Sequence, residues 1–280
     1  MEIAEKVCVV TGAGSGIGAA IARAAAAEGA REVVVADLDG EAAAEVADQI
    51  AGTAAQVDVT DSAALQALVK GTEAVHGPIG LFVSNAGYVT NAGLEDTDER
   101  IQHMWEVHVL AHIVAARAVV PQMIANGGGY LLNTASAAGL LTQVGSLSYS
   151  ITKAAAVSLA EWLAITHHHQ GIRVSVLCPQ AVRTNILVNS PDQAASTDGD
   201  RDWSGAAASF DGVIEPDEVA RLCVEAMREE RFLVLPHEEV HEYRRRKADD
   251  PDRWLAGMRK FQDLVYPEGP LPGDVMAPDV

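Results

Sequence analysis

Short runs of apolar, β-branched residues alternate along the chain with longer, alanine-rich stretches that have the spacing of helices. Most of the short runs are apolar throughout, which is typical of strands that are covered on both faces. Strand and helix alternate, so the pattern predicts an α/β fold, a doubly wound parallel sheet of about seven strands with helices on both faces. The predicted strands are 7–11, 32–36, 55–59, 81–84, 130–134, 173–177 and 231–235, and the predicted helices are 16–28, 40–50, 62–76, 98–126, 148–169 and 216–229.

Two segments depart from this alternation. Residues 185–213 are polar and longer than an ordinary connection, and loops of that length are commonly functional lids. Residues 236–280 form a C-terminal extension with a charged, helical part at 238–265 and a proline-rich end. We predict a single domain, 1–280, in which segment 185–213 covers the substrate.

Composition and charge narrow the function classes. The 280 residues include 20 Lys and Arg against 39 Asp and Glu, a net charge of −19, and such a surface repels nucleic acid and anionic lipid. We therefore expect neither a nucleic-acid partner nor a membrane. The three cysteines match no metal spacing, and no leader precedes the first strand, so we expect reduced thiols, no metal and a cytoplasmic protein.

The first predicted strand runs directly into a glycine-rich turn that is followed by a helix. Glycines permit a tight turn and let backbone N–H groups approach a pyrophosphate at the positive end of the helix. Close packing of helix on sheet is the alternative explanation, but the order of strand, turn, helix and strand favours dinucleotide binding. The turn reads Thr11-Gly12-Ala13-Gly14-Ser15-Gly16-Ile17-Gly18, a TGxxxGxG spacing rather than GxGxxG.

A carboxylate follows the second predicted strand. Asp37 stands 19 residues after Gly18, where a carboxylate accepts hydrogen bonds from the adenosine ribose and repels a 2′-phosphate. Neither the glycine turn nor the residues directly after Asp37 carry an Arg or Lys that would bind this phosphate. The sequence therefore favours NAD over NADP.

A further set of residues has the chemistry of proton transfer. Tyr149 and Lys153 are four apart on a predicted helix and share one face, and a nearby ammonium lowers the pKa of a phenol toward neutrality. Ser136 follows the strand 130–134, where its hydroxyl is placed to hydrogen-bond a substrate oxygen. A YxxxK pair alone is a frequent chance match, so this set gains weight only together with the other motifs.

Taken together, these motifs resemble the short-chain dehydrogenase/reductase (SDR) family over residues 5–235. The resemblance also includes Asp58-Val59 after the third strand, Asn85-Ala86-Gly87 after the fourth, and Pro179 to Thr184 after the sixth. It implies a Rossmann-like sheet, hydride transfer with a nicotinamide cofactor, and assembly as a homotetramer, with a dimer as the alternative.

The resemblance also assigns roles to individual residues. Tyr149 is implied as the proton donor or acceptor, Lys153 as the residue that lowers its pKa and holds the nicotinamide ribose, and Ser136 as the residue that orients the substrate oxygen. The implied cofactor-binding residues are Gly12, Ser15, Gly16, Ile17, Gly18, Asp37, Leu38, Asp58, Val59, Asn85, Ala86, Gly87, Tyr149, Lys153, Pro179, Val182 and Thr184.

Two positions depart from the family's pattern. His108 stands where the family usually has an Asn that holds a water between the lysine and solvent. A neutral imidazole fits that role, or delivers protons itself, and simple packing in a helix interface is the equal alternative. Gln180 replaces the usual Gly after Pro179, which bears on the local turn.

We therefore predict an NAD-dependent oxidoreductase that acts on a secondary alcohol or its ketone, with Tyr149 as general acid/base and His108 as a fourth catalytic candidate. Apolar residues near the catalytic positions (Leu140, Leu141, Val144 and Leu147) favour an apolar small-molecule substrate. The alternatives are an NADP-dependent ketoacyl-type reductase and a catalytically silent NAD-binding regulatory protein.

Overall fold

The computed structural model describes residues 1–187 and 207–266. Within them, a parallel seven-stranded sheet has the order β3-β2-β1-β4-β5-β6-β7. The strand order reverses between β1 and β4, and ligands of doubly wound folds bind at such a reversal, at the carboxyl ends of the strands. The strands are β1 (Val7–Thr11), β2 (Glu32–Asp37), β3 (Thr53–Gln56), β4 (Ile79–Ser84), β5 (Gly129–Thr134), β6 (Ile172–Leu177) and β7 (Leu233–Val234).

Helices cover both faces of this sheet. Several begin at side chains that satisfy the free backbone N–H groups of the first turn: Asp39 accepts from Glu41 and Ala42, and Asp61 accepts from Ala63 and Ala64. The helices are α1 (Gly16–Ala27), α2 (Gly40–Ile50), α3 (Ser62–His76), α4 (Asp98–Trp105), α5 (Ala111–Ala125), α6 (Ala137–Leu141), α7 (Leu147–His167), α8 (Pro216–Glu229), α9 (Glu239–Asp249) and α10 (Pro251–Val265).

The core consists of two large apolar clusters, one on each face of the sheet. In β1, Cys8 and Val10 point into the cluster that includes residues of α1 and α8, while Val7 and Val9 point into the cluster that includes residues of α5 and α7. Alternate side chains of a strand face opposite ways, so a sheet covered on both sides needs apolar residues throughout. The prediction of a doubly wound parallel sheet is confirmed.

The third strand was predicted at 55–59, and this is wrong by several residues, because the structure has β3 at Thr53–Gln56. Val57 still donates its backbone N–H to the Asp37 carbonyl, at 2.7 Å. The next residue, Asp58, accepts from the backbone N–H and the hydroxyl of Thr60, at 2.8 and 2.7 Å. This Asx turn redirects the chain, so the apolar Val59 no longer belongs to the strand.

The long helix predicted at 98–126 is also interrupted. A π-helical turn, Glu106–Leu110, separates α4 from α5 and contains His108. Single π-turns inside α-helices are frequent at functional sites. The stretch Asp98–Ala125 is long and apolar enough to cross a bilayer, but 61% of its most apolar window is buried within the protein. Packing in the core therefore accounts for its composition.

Only parts of the two irregular segments belong to the described residues. The predicted lid, 185–213, is described at its two ends, as the 3₁₀ turns Asn185–Leu187 and Ala207–Ser209, and its central part, 188–206, lies outside the described residues. The extension forms α9 and α10, and its proline-rich end, 267–280, lies outside them as well.

Candidate active site

A cavity of about 1730 Å³ opens at the carboxyl ends of the strands. Its lining runs from the glycine turn, past the end of β5 and one face of α7, to the C-terminal helices α9 and α10. A pocket for one drug-sized ligand has a volume of about 300–1,000 Å³. The cavity is therefore large enough for a dinucleotide and a second molecule side by side.

The glycine turn forms one end of this cavity. Gly12 and Gly16 have positive φ angles of 63° and 55°, which side chains rarely adopt. A Cβ on Gly18 would collide with the Gly12 carbonyl oxygen, so this glycine lets α1 begin directly against the turn. The open N-terminus of α1 presents backbone N–H groups and the positive end of its dipole to the cavity.

Asp37 lies beside this turn and is held in place by backbone groups. Its Oδ2 accepts from the N–H of Gly14 at 2.8 Å, and its Oδ1 accepts from the N–H of Asp39 at 3.0 Å. Next to it, the side chain of Leu38 is 67% exposed and lines the cavity together with Asp58. This end of the cavity thus offers a carboxylate for hydroxyl groups and an apolar surface for a ring.

Asn85 joins three strand ends where the strand order reverses. Its Nδ2 donates to the carbonyls of Thr11 at 3.2 Å and Gly12 at 3.1 Å, and its Oδ1 accepts from the Thr134 hydroxyl at 3.1 Å. These bonds connect the ends of β1, β4 and β5. Asn85 therefore fixes the floor of the cavity as well as lining it.

Ser136, Tyr149 and Lys153 meet at the middle of the cavity. Ser136 is the N-cap of α6, where its Oγ accepts from the Ala138 N–H at 3.1 Å, and it also hydrogen-bonds with Tyr149. The Lys153 Nζ lies 5.6 Å from the centre of the Tyr149 ring and donates to the Thr134 carbonyl at 3.1 Å. Strand β5 and helix α7 thus bring the three together.

The pKa of Tyr149 differs from the expectation. Burial raises the pKa of Tyr149, and the hydrogen bond from Ser136 opposes this, whereas the sequence analysis expected the lysine to lower it. Burial also lowers the pKa of Lys153, to about 8. Loss of water around each buried side chain is the largest cause of both pKa shifts.

His108 does not line the cavity, and its side chain is 0% exposed. Its Nε2 accepts from the Tyr88 N–H at 3.2 Å, so the neutral ring carries its proton on Nδ1, which donates to the Thr152 hydroxyl at 3.0 Å. That hydroxyl donates to the Tyr149 carbonyl at 3.1 Å. Burial lowers the His108 pKa well below its usual value. This geometry favours a positioning role for His108 over proton delivery.

Gln180 connects the loop after β6 with the C-terminal extension. Its backbone N–H donates to His237 Nδ1 at 3.2 Å, and its side-chain amide donates to Asp211 Oδ2 at 3.0 Å. The other oxygen of Asp211 accepts from the Tyr243 hydroxyl of α9 at 2.9 Å. The Gln that replaces the family's Gly is thus part of a polar link to α9, which the sequence analysis did not predict.

Helix α10 contributes a wall of the cavity that the sequence analysis also missed. Trp254, Met258, Phe261 and Val265 line the cavity from this helix. Their spacing of four, three and four residues is visible in the sequence as one apolar stripe of a helix that also carries five charged residues.

Most of the remaining predicted site residues lie in the lining. Leu141 and Val144 line the cavity, as expected, while Leu140 packs within the apolar clusters. Within residues 1–187 and 207–266, no three His, Cys, Asp or Glu side chains are grouped to hold a metal ion. The predicted cofactor-binding residues in the lining are Gly12, Ser15, Gly16, Ile17, Asp37, Leu38, Asp58, Val59, Asn85, Ala86, Gly87, Tyr149, Lys153, Pro179, Val182 and Thr184; Gly18 is not among them.

Comparison with known proteins places this geometry in context. The family model described as short chain dehydrogenase matches residues 6–195. The 1-deoxy-11-beta-hydroxypentalenate dehydrogenase of Streptomyces exfoliatus is 32% identical over 91% of this chain and 92% of that protein. The meso-2,3-butanediol dehydrogenase of Serratia marcescens is 32% identical over 79% of this chain and 86% of its own length.

Among solved structures, a short chain dehydrogenase/reductase from Burkholderia phymatum in complex with NAD has a TM-score of 0.80 and 30% sequence identity. The match covers 90% of this chain and 96% of that one. The match to this structure therefore covers more of the chain than the family model does.

Proposed function

Because the chain belongs to the short-chain dehydrogenase family, as the match over residues 6–195 shows, we propose that it is an NAD-dependent oxidoreductase acting on a secondary alcohol or its ketone. The observation that carries the proposal is the meeting of Ser136, Tyr149 and Lys153 in a cavity that is continuous with the glycine turn. Both relatives described above are named as dehydrogenases of hydroxylated compounds.

The residues at the turn fit a dinucleotide. A pyrophosphate would lie against the N-terminus of α1, where a Cβ on Gly12 or Gly16 would intrude on neighbouring atoms. Asp37 would accept from the adenosine ribose, and Leu38 would cover the adenine. When bound, the nicotinamide gives or takes the hydride, and the protein supplies position and charge.

The chain's own residues would handle the proton. In alcohol oxidation the substrate hydroxyl gives its proton to the Tyr149 phenolate as its carbon gives up a hydride, and ketone reduction reverses both transfers. The Ser136 hydroxyl would hold the substrate oxygen next to Tyr149. The Lys153 ammonium, 5.6 Å from the tyrosine ring, stabilises negative charge there.

The alternatives are less well supported. The NADP-dependent ketoacyl-type reductase would bind a 2′-phosphate and an acidic carrier, whereas Asp37 disfavours the phosphate and the net charge of −19 repels the carrier. A catalytically silent regulatory protein would not need Ser136, Tyr149 and Lys153 to meet in one cavity. Cytoplasmic location and a homotetramer, or a dimer, stay predictions, and light scattering would measure the assembly.

The proposed function is tested by initial rates with a panel of secondary alcohols and ketones, measured separately with NAD(H) and NADP(H). We expect turnover with NAD(H) and little with NADP(H). A preference for NADP(H) would move the assignment to the reductase alternative. NAD binding in calorimetry without any turnover would instead favour the regulatory protein.

Ser136→Ala is expected to lower kcat for alcohol oxidation by about 10²–10³-fold, the loss typical of one donor to a reacting oxygen. The substitution should also raise the pH at which the rate of alcohol oxidation increases. Burial raises the pKa of Tyr149 and the Ser136 hydrogen bond lowers it, so removing the bond raises it further. The phenolate needed for oxidation then forms only at higher pH.

The measurement is kcat/KM for oxidation across pH in both proteins. Ser175→Ala is the matched control, because this buried serine bonds to Tyr130 and the Arg231 carbonyl, away from the cavity. Coinciding pH profiles for wild type and Ser136→Ala would show that Ser136 does not act on Tyr149.

A further inference from the structure

Helix α10 turns one apolar stripe toward the cavity, next to Arg253, while Leu255 and Leu264 are exposed elsewhere on the helix. Trp254, Met258, Phe261 and Val265 occupy positions i, i+4, i+7 and i+11, one stripe of a helix. The charged side chains of the last two turns, Arg259, Lys260 and Asp263, are exposed. None of the residues of α10 is fully buried. A stripe of this kind normally packs into a protein core, and here, among the residues that the structure describes, it borders the cavity.

Aromatic contacts hold this stripe in place. The Phe261 ring meets the edge of Phe210 with ring centres 5.4 Å apart, and Trp254 lies 6.2 Å from Tyr243 of α9. Tyr266, directly after α10, lies so close to Gly145 that a Cβ there would collide with its hydroxyl. The wall is therefore built, at its two ends, against neighbouring parts of the chain.

The wall also has a defined position relative to the catalytic residues. Tyr243 and Trp254 pack on the cluster of Leu141 and Val240, and the Lys247 Nζ donates to the Leu140 carbonyl at 2.7 Å. Leu140 and Leu141 belong to α6, whose N-cap is Ser136. Helix α6 thus connects the wall with Ser136, which lies at the other end of this short helix.

We propose that α10, through Trp254, Met258 and Phe261, selects bulky apolar substrates: alcohols or ketones whose fused-ring or branched skeleton reaches from Tyr149 to this helix. The inference rests on the proposed function and names its substrate class. A small alcohol would fill the space at Tyr149 and leave the stripe facing water. A large apolar skeleton removes both surfaces from water, and that is the source of the selectivity.

The volume of the cavity agrees with a large substrate. At about 1730 Å³ it exceeds the range of about 300–1,000 Å³ for a single ligand pocket. After the dinucleotide occupies the end at the glycine turn, the part between Tyr149 and α10 still takes a second molecule of substantial size. The three wall residues touch the skeleton and not the reacting atoms, so they determine specificity rather than chemistry.

The test compares cyclohexanol, a decalinol and a perhydroanthracenol as substrates of wild type and Phe261→Ala. We expect Phe261→Ala to lower kcat/KM for the two fused-ring alcohols by about 10–100-fold, the range for lost apolar contacts. Most of this loss in kcat/KM should come from a higher KM. The kcat/KM for cyclohexanol should stay unchanged. Phe261→Leu, which keeps an apolar side chain, should recover part of the loss.

The matched control is Leu264→Ala on the same helix. Leu264 is 61% exposed and does not line the cavity, so its truncation should leave all three rates unchanged. An equal loss for cyclohexanol and the fused-ring alcohols in Phe261→Ala and Phe261→Leu would overturn the inference, because it would indicate general damage. Undiminished rates with the fused-ring alcohols would overturn it as well.

A binding measurement separates this inference from the proposed function. Calorimetry with the ketone of decalin, in the presence of oxidised NAD, with which a ketone cannot react, should show binding to wild type and weaker binding to Phe261→Ala. If wild type binds the ketone more tightly than Phe261→Ala but no alcohol is oxidised, the substrate role of α10 is supported and the proposed function is refuted. If cyclohexanol is oxidised but wild type does not bind the decalin ketone, the proposed function is supported and the substrate role of α10 is refuted.

Discussion

Replacing Tyr149 with phenylalanine is expected to lower kcat by about 10²–10⁴-fold in both directions of the reaction while NAD still binds. The substitution removes one hydroxyl and keeps the ring that packs against His108, with ring centres 5.6 Å apart. Without the hydroxyl, the site loses the group that is proposed to accept the proton of an alcohol. Asn85 and Gly87, which are predicted to contact the cofactor, are unchanged.

The experiment measures turnover in both directions and NAD affinity by calorimetry. Tyr130→Phe is the matched control: this tyrosine is fully buried in β5 and its hydroxyl bonds to Ser175 at 2.7 Å, outside the cavity. Both variants lose one buried hydroxyl, and only Tyr149→Phe should lose turnover. Turnover close to wild type in Tyr149→Phe would show that the proton leaves by another route.

Replacing Asp37 with alanine is expected to reduce kcat/KM with NAD by about 10–150-fold. Hydrogen bonds to a charged group contribute about 1.5–3 kcal/mol, and each 1.4 kcal/mol is tenfold in affinity. The same change removes the charge that repels a 2′-phosphate, so the loss with NADP should be smaller. The preference for NAD over NADP should therefore fall.

The proper measure is the ratio of kcat/KM with NAD to kcat/KM with NADP, because Asp37 has a second function. Its carboxylate anchors the N–H groups of Gly14 and Asp39, so alanine also loosens the glycine turn for either cofactor. Asp61→Ala is the control, since it removes a carboxylate that accepts two backbone N–H groups at the start of α3. An NAD/NADP ratio that stays at the wild-type value in Asp37→Ala would exclude Asp37 as the discriminating group.

Short sequence motifs predicted much of the candidate site. The glycine turn and Asn85 each follow a strand directly, Asp37 is the last residue of a strand, and parallel strands bring their carboxyl ends to one edge of the sheet. Tyr149 and Lys153 share a helix face because of their spacing alone. Once the alternation of strands and helices predicts the sheet, these positions converge on one cavity without further information.

The errors occurred where side chains compete with the backbone pattern. After β3, the Asp58 carboxylate accepts a hydrogen bond from the Thr60 N–H and forms a turn. The strand therefore ends, although the apolar run in the sequence continues to Val59. In the long helix, the π-turn at Glu106–Leu110 leaves no trace in hydrophobic periodicity. Such a turn is maintained by contacts of His108 with Tyr88 and Thr152, residues that lie far away in the sequence.

The sequence by itself determined the fold class, because the alternation of strands and helices governs it, and the family, because several motifs resemble that family in one order. It also predicted most of the residues that meet in the cavity. Only the tertiary structure decided the pKa shifts of Tyr149 and Lys153, since these follow from the loss of water around both side chains. It also decided that the stripe of α10 borders the cavity, because periodicity shows that a helix has an apolar face and packing determines what that face meets.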